Sequence, residues 1–355
     1  MNIEQMKSVL REILVSTSLT PCVVGHRGVG KSAGIIQVCR EIGRDYVSLR
    51  LGQMEVGDLI GIPYRQGKVM HWSRPAWWPE DGAPETVVHC DELNRAQQED
   101  TLQAIFQFVE PPVERRRRAL HTHTLHPKHK VVVSINPPDG SYQVASLDRA
   151  LLDRMVMIYV ETDYRCWARY AAAQKFDPEV RQFIAASPNL LARQGSPIDL
   201  QIEPTERAWE MVSTLRRSCR FDPELEMEVY AGIVGREAAV SFLRWCREKA
   251  TRPVTAREIL DHWAEVVSRI AAQRDDAQAV TVSDLVTTLE VEPVLNDEQE
   301  ANLMACIASL SRDIQFGLVK SLSKIPPIAA ILCKDEHDRV ILEAMTAISD
   351  EAEQG

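Results

Sequence analysis

Apolar and polar positions change their period along this chain. Residues 2–16 place apolar side chains at helical spacing, which predicts an amphipathic helix. "PCVVGH" (21–26) is a continuous apolar run and predicts a buried strand that ends in a glycine loop. Helical spacing returns from Lys31 to Ile42. "YVSLRL" (46–51), "TVVHCDE" (86–92), "KVVVSIN" (130–136) and "MVMIYVE" (155–161) predict four more strands. Helical patterns lie between them, at 97–110 and 146–155. Continuous apolar strands alternating with helices imply a parallel sheet covered on both faces.

After about residue 162 the strand runs stop. The remainder of the chain is helical in pattern, broken at "SPNL", "GSPIDLQIEP" and "TRPVT". The segment 256–273 has strong 3.6-residue periodicity, and two later helices are expected near 298–323 and 335–352. The layout is an α/β domain over residues 1–162, a helical lid over 163–275 and a C-terminal helical extension over 276–355.

Composition narrows the class. The chain has 355 residues, 45% hydrophobic and 26% charged, an ordinary globular balance that can bury large cores. A net charge of −10 argues against coating nucleic acid by bulk charge. Eight cysteines are scattered without a C-x-x-C pair, as expected of reduced thiols in the cytoplasm. The N-terminal helix pattern contains Glu4 and Glu12 and lacks the shape of a signal peptide, and no apolar run has the length of a membrane span.

Between the first strand and the next helix stands "GHRGVGKS" (25–32), a match to G-x-x-x-x-G-K-[ST] in the setting that gives the motif meaning. Gly25, Gly28 and Gly30 let backbone wrap phosphate oxygens. Val29 and Ala33 complete the loop and the start of the helix. Lys31 neutralises the β- and γ-phosphates, and Ser32 offers a hydroxyl to Mg²⁺. "VVHCDELNRA" (87–96) adds paired acids at the tip of a buried strand. Asp91 suits the Mg²⁺ shell, and Glu92 suits a general base acting on water. Asn136, at the end of its strand, either orients that water or a γ-phosphate oxygen, or serves as a turn residue before proline.

Together these pieces resemble the AAA+ ATPases, and within them the MoxR-type (AAA_5) branch. "GHRGVGKS" looks like the family's Walker A, and "VVHCDELNRA" like its Walker B with the branch's DE-x-NRA ending. "VVVSINPPDGSY" is similar to its sensor-1 strand, "LRLGQMEVGDLIG" (49–61) to the start of its helix 2, and "LDRALLDRM" to the helix that carries an arginine finger. The resemblance covers roughly residues 15–210. It implies a P-loop NTPase fold with an all-α lid, ATP as the nucleotide and a homo-oligomeric, usually hexameric ring. One neighbour then supplies an arginine in trans. Arg154 is the favoured finger and Arg149 the runner-up; five residues of helix turn them ~140° apart. Arg207, in the first turn predicted for "EPTERAWEMVSTLRR", matches the sensor-2 position without the usual Ser-Pro-Arg form. Arg95 falls where subunits would couple.

The resemblance further implies a chaperone-like remodeller of a protein client, working with a separate partner that bears a von Willebrand factor A domain. No D-x-S-x-S, H-E-x-x-H, G-x-S-x-G or G-A-F-T-G-A motif is present. Two inserts could meet a client. One is 64–80, with Trp72, Trp77 and Trp78; these tryptophans either pack the insert down or grip an apolar segment. The other is "ERRRRALHTHTLHPKHK" (114–130), with six Lys and Arg against one Glu and four histidines, where the resemblance expects a hairpin before sensor 1. His121 and His123 would share a strand face there. Zinc is a poor match to this spacing. Contact with DNA or RNA, as in a nucleic-acid motor or an NTPase subunit of a defence complex, is the alternative reading; arginines without interleaved aromatics suit phosphates but not base stacking. A small-molecule kinase is disfavoured by Asn136, the paired acids and the helical lid together.

Overall fold

A computed structural model describes residues 1–96, 99–114, 116–137, 147–193, 202–248 and 253–346. They form two compact units that meet in sequence between Asp163 and Tyr164. The first unit begins with α1 (Ile3–Ser16), β1 (Pro21–Val24), α2 (Lys31–Glu41) and β2 (Asp45–Arg50), then α3 (Val56–Ile60), β3 (Pro63–Gln66) and β4 (Val69–Trp72). It continues with β5 (Thr86–Asp91), α4 (Glu99–Val109), β6 (Ala119–Leu120), β7 (His123–Thr124), β8 (Lys130–Ile135), α5 (Arg149–Leu152) and β9 (Val156–Tyr159).

β2, β5, β8, β1 and β9 lie side by side in that order, all parallel. Alternation along each strand divides the core in two. Val23, Val87, Val132 and Ile158 face the layer of α1 and α2, where Met6, Leu10 and Leu14 of α1 are wholly buried. Cys22, Val88, Cys90, Val131 and Val133 face the layer of α4 and the inserts. Each such side chain contributes roughly 1.5–3 kcal/mol by leaving water. The expected α/β fold of P-loop type is therefore present, a five-stranded parallel sheet with helices on both faces.

The two inserts are small hairpins. β3 and β4 pair antiparallel, and so do β6 and β7. Trp78 is 4% exposed against Phe108 and His123, and Trp77 donates its indole N–H to the Asp58 carbonyl. The tryptophans thus pack the insert down, and its solvent-facing apolar residues are Ile62, Tyr64, Val69 and Met70. His121 sits at the β6–β7 turn with φ +54, so it does not share a strand face with His123, which is buried.

The second unit is helical: α6 (Tyr164–Ala173), α7 (Pro178–Ala186), α8 (Glu206–Ser218), α9 (Pro223–Val234), α10 (Arg236–Arg247), α11 (Ala256–Ala271), α12 (Asp275–Val291), α13 (Asp297–Ser309), α14 (Arg312–Leu322), α15 (Pro326–Leu332) and α16 (Asp338–Thr346). The all-α character expected after the sheet domain holds among the described residues. Apolar side chains collect in one cluster from α6 to α10 and another from α11 onward, and α12 packs against α6 and α7 as well as α11 and α14. The helix expected over 298–323 is broken, because Leu310 and Ser311 are extended and Ser311 starts α14. The helix expected over 146–155 is short: Asp148 caps α5, which ends at Leu152, and residue 146 lies outside the described residues, as do 97 and 98 of the helix expected over 97–110.

Candidate functional site

The site is assembled by strand parity. On β5, His89 and Asp91 follow Val87 toward the α2 layer; on β8, Ser134 follows Val132 to the same side. Ser32, in the first turn of α2, lies over that side. Its hydroxyl stands 3.3 and 3.4 Å from the two Asp91 carboxylate oxygens, and Ser134 donates a hydrogen bond to Asp91 Oδ1. A hydroxyl and a carboxylate held this close are the oxygen donors a hard divalent cation takes, so Ser32 and Asp91 suit Mg²⁺.

The glycine loop between β1 and α2 turns through left-handed backbone at Gly28 (φ +86) and Gly30 (φ +94), which a side chain would resist. Gly25 donates its N–H to the Ile135 carbonyl and so ties the loop to β8. The Val29 side chain is buried in the cluster that α1 and α2 form with the sheet. Ala33 is exposed on α2. Lys31 is 9% exposed; its ammonium donates to the carbonyls of Gly25 and His26 and, at 3.0 Å, to Asn136 Oδ1. Loop and helix N-terminus together make a cradle of N–H donors for phosphate oxygens.

Glu92 follows Asp91 in the left-handed region (φ +54), where a non-glycine residue is strained by roughly 1–3 kcal/mol. Its N–H lies 3.4 Å from Ser134 Oγ, and its carboxylate, 42% exposed, pairs with Arg95 at 3.4 Å. The next turn is held by Asn94, a residue to which the sequence pattern assigns no role. Asn94 is 2% exposed and grips the backbone of Asn136 from both sides: its Nδ2 donates to the Asn136 carbonyl at 2.7 Å, and its Oδ1 accepts the Asn136 N–H at 3.2 Å. That bracket leaves the Asn136 side chain turned to Lys31.

His89 is the second residue that the motifs do not single out. It is wholly buried, with Nδ1 2.7 Å from the Tyr46 hydroxyl and Nε2 3.6 Å from Asp91 Oδ1, and Nε2 has no hydrogen-bond partner. A Tyr46 hydroxyl donating to Nδ1 leaves the ring proton on Nε2, facing Asp91. Burial holds the imidazole down at about 4, against the pull of Asp91. Its signal in the sequence is a polar residue inside the apolar run "VVHCD".

The three arginines have other surroundings. Arg154 folds back onto the sheet unit: its guanidinium lies 5.4 Å from the Phe106 ring centroid, 3.7 Å from Glu110, and donates to the Ala150 carbonyl. Arg149 is exposed at the start of α5, with no ion pair among the described residues. Arg207 belongs to the second unit, exposed in the first turn of α8, which Thr205 caps.

No protein-family model matches the chain, and no curated protein matches it. Among solved structures it is similar to a presumed ATPase of Cytophaga hutchinsonii, at 12% identity over 93% of this chain and 88% of that one, with a TM-score of 0.32. It is also similar to NtrX of Brucella abortus, at 10% identity over 95% of this chain and 67% of that one, with a TM-score of 0.39. Likenesses this loose assign no role, and the site is defined by the chain's own strand order and geometry.

Proposed function

We propose that the chain is an ATP-hydrolysing AAA+ protein, converting ATP and water to ADP and phosphate. The observation that carries this reading is the convergence of Lys31, Ser32, Asp91 and Asn136, with Glu92 beside them, where β1, β5 and β8 end. Lys31 would exchange the Gly25 and His26 carbonyls for the β- and γ-phosphates. Backbone N–H groups from Gly28 to Ala33 would hold the phosphate oxygens. Ser32 and Asp91 would hold Mg²⁺, which when bound supplies charge neutralisation to the phosphates. Glu92 would take a proton from the attacking water, and the Asn136 amide would orient that water or a γ-oxygen.

The finer reading is a MoxR-type ring, a hexamer, in which a neighbour's arginine meets the γ-phosphate. Arg149 is freely presented for that role, whereas Arg154 would first have to leave Phe106 and Glu110. Arg207 would report nucleotide state from the lid. A protein client is favoured by the β3–β4 hairpin, which offers Ile62, Tyr64, Val69 and Met70 to solvent. The ring would act in the cytoplasm with a separate partner bearing a von Willebrand factor A domain. The alternative, a nucleic-acid motor, loses support because Arg118 of the arginine run is buried and cannot line a pore.

The deciding experiment is ATP turnover by the wild type and by Glu92→Gln. The variant should bind ATP with unchanged affinity and hydrolyse it about 10²–10⁴-fold more slowly. Undiminished turnover removes Glu92 as the base, and no turnover by the wild type removes the ATPase reading. Stimulation by single-stranded DNA or RNA, rather than by a protein partner, would move the function to the alternative.

A further inference from the structure

The basic run 114–130 is not used by the nucleotide site. Much of its charge gathers at the other end of the sheet, where the strands begin. β5 opens at Thr86 and β8 at Lys130, while the glycine loop, Asp91 and Asn136 stand at the strands' far ends. A cleft at this base is lined by Ser18, Arg117, Arg118, His126, His129 and Lys130, together with apolar residues, and among the described residues no carboxylate lines it.

Counter-charge there is sparse, with Glu85 near Lys130 and Asp81 near His129. Arg118 is 4% exposed, and its guanidinium donates only to neutral oxygens: the Thr20 hydroxyl and the carbonyls of Ser18, Phe108 and Val109. Lys130 donates to the Thr17 carbonyl at 2.7 Å. Neither it nor Arg117 has an ion pair among the described residues, and Arg117 is exposed. Burial lowers the Lys130 ammonium's affinity for its proton, neighbouring Arg44 and Arg118 lower it further, and Glu85 partly offsets them.

Unmet donors accompany the unmet charge. His129 is 2% exposed, and its Nδ1 accepts the Thr86 N–H at 3.1 Å, which places the ring proton on Nε2. That buried Nε2–H makes no well-aligned hydrogen bond, although the Glu80 carbonyl lies beside the ring. Arg44 pairs with Glu85 at 2.9 Å through Nη2, but its buried Nη1 has no acceptor either. Buried donors without partners are costly, and excess positive charge beside them is costlier. An oxyanion in the cleft would meet the excess charge, whereas a strand of nucleic acid would want a basic stripe with aromatic platforms, and among the described residues no aromatic ring other than the two imidazoles lines this cleft.

We propose that the mouth of this cleft binds a small oxyanion with the charge of phosphate, at the end of the sheet opposite the nucleotide site. Arg117 and Lys130 supply the charge, and His126 and His129 supply ring N–H donors. The site does not depend on ATP chemistry.

The test is a titration of the full chain with inorganic phosphate, read at the ring resonances of His126 and His129. Lys31→Ala protein is used, so that the glycine loop does not dominate the response. A saturable shift is expected, with affinity about tenfold weaker in Arg117→Gln, whose exposed side chain leaves folding untouched. Lys130→Gln provides a second variant with the same expected loss. Absence of saturation, or affinity unchanged in both variants, overturns the proposal. A phosphopeptide that competes better than free phosphate assigns the oxyanion to a protein partner; one that competes no better assigns it to the free ion. An oligonucleotide whose competition strengthens with strand length overturns the single-anion site in favour of a nucleic-acid groove.

Discussion

At the scale of single residues, the site depends on side chains that would not touch a nucleotide. Asn94 fixes the backbone of Asn136 with two hydrogen bonds, and Asn136 in turn meets Lys31. Asn94→Ala should lower kcat about tenfold while leaving ATP affinity within a factor of about two, as expected when one net hydrogen bond's worth of positioning is lost. Steady-state kinetics and an equilibrium binding assay together check this, and a loss confined to affinity would exclude the positioning role. His89 predicts a pH dependence. An unfolded imidazole takes its proton near 6.5, and the buried one only near 4. Between those values the unfolded state binds more protons, so acidification favours unfolding. The contribution is fully present above about 6.5 and is lost as pH falls to about 4. Urea melts across that range should show the loss in the wild type and a shallower one in His89→Gln. Of these residues, Lys31, Ser32, Asp91 and Glu92 were readable because their spacing is local. Asn94 and His89 were not, because their partners lie 42 and 43 residues away in sequence.

At the scale of elements, boundaries follow local chemistry where the chain has any. Asn2 and Gln5 form a capping box at α1, as Thr255 and Glu258 do at α11. The insert between α3 and β4 instead depends on a single glycine. Gly61 has φ +82, and a Cβ there would lie 1.7 Å from the Ser73 carbonyl oxygen. Gly61→Ala should therefore displace the β3–β4 hairpin and destabilise it by about 1–3 kcal/mol or more. Limited proteolysis within residues 62–72 would report it, and cleavage no faster than in the wild type would refute it. The five sheet strands were legible to within a residue or two, because a strand buried on both faces has to be apolar throughout. Both hairpins were expected, one from the turn "RQGK" (65–68) and one from the resemblance, but their strand bounds were not legible, since strands of two to four residues carry too little pattern. The arginine run was misleading for a physical reason: Arg118 looks solvent-facing in sequence, yet it finds four oxygens inside the fold.

At the scale of the whole molecule, the proposed ring makes the nucleotide site a shared one. Arg149→Ala, which removes no ion pair from its own subunit, should abolish hydrolysis without changing the melting temperature, and mixing it with Glu92→Gln protein should restore part of the activity. Turnover in the mixture no higher than in either variant alone would count against an arginine acting in trans. Among the described residues no helix is long and apolar enough to cross a membrane. The sequence by itself determined the α/β unit, the helical remainder, the glycine loop and the paired acids. Those features are written in contiguous residues, as apolar period and as motif spacing. Only the tertiary structure decided which strands became neighbours, and with them the meeting of Lys31 with Asn136, of Ser32 with Asp91 and of the basic side chains at the foot of the sheet. Parity tells which face of a strand a side chain takes, but not what packs opposite it, and these contacts exist only once the sheet has closed in the order β2, β5, β8, β1, β9.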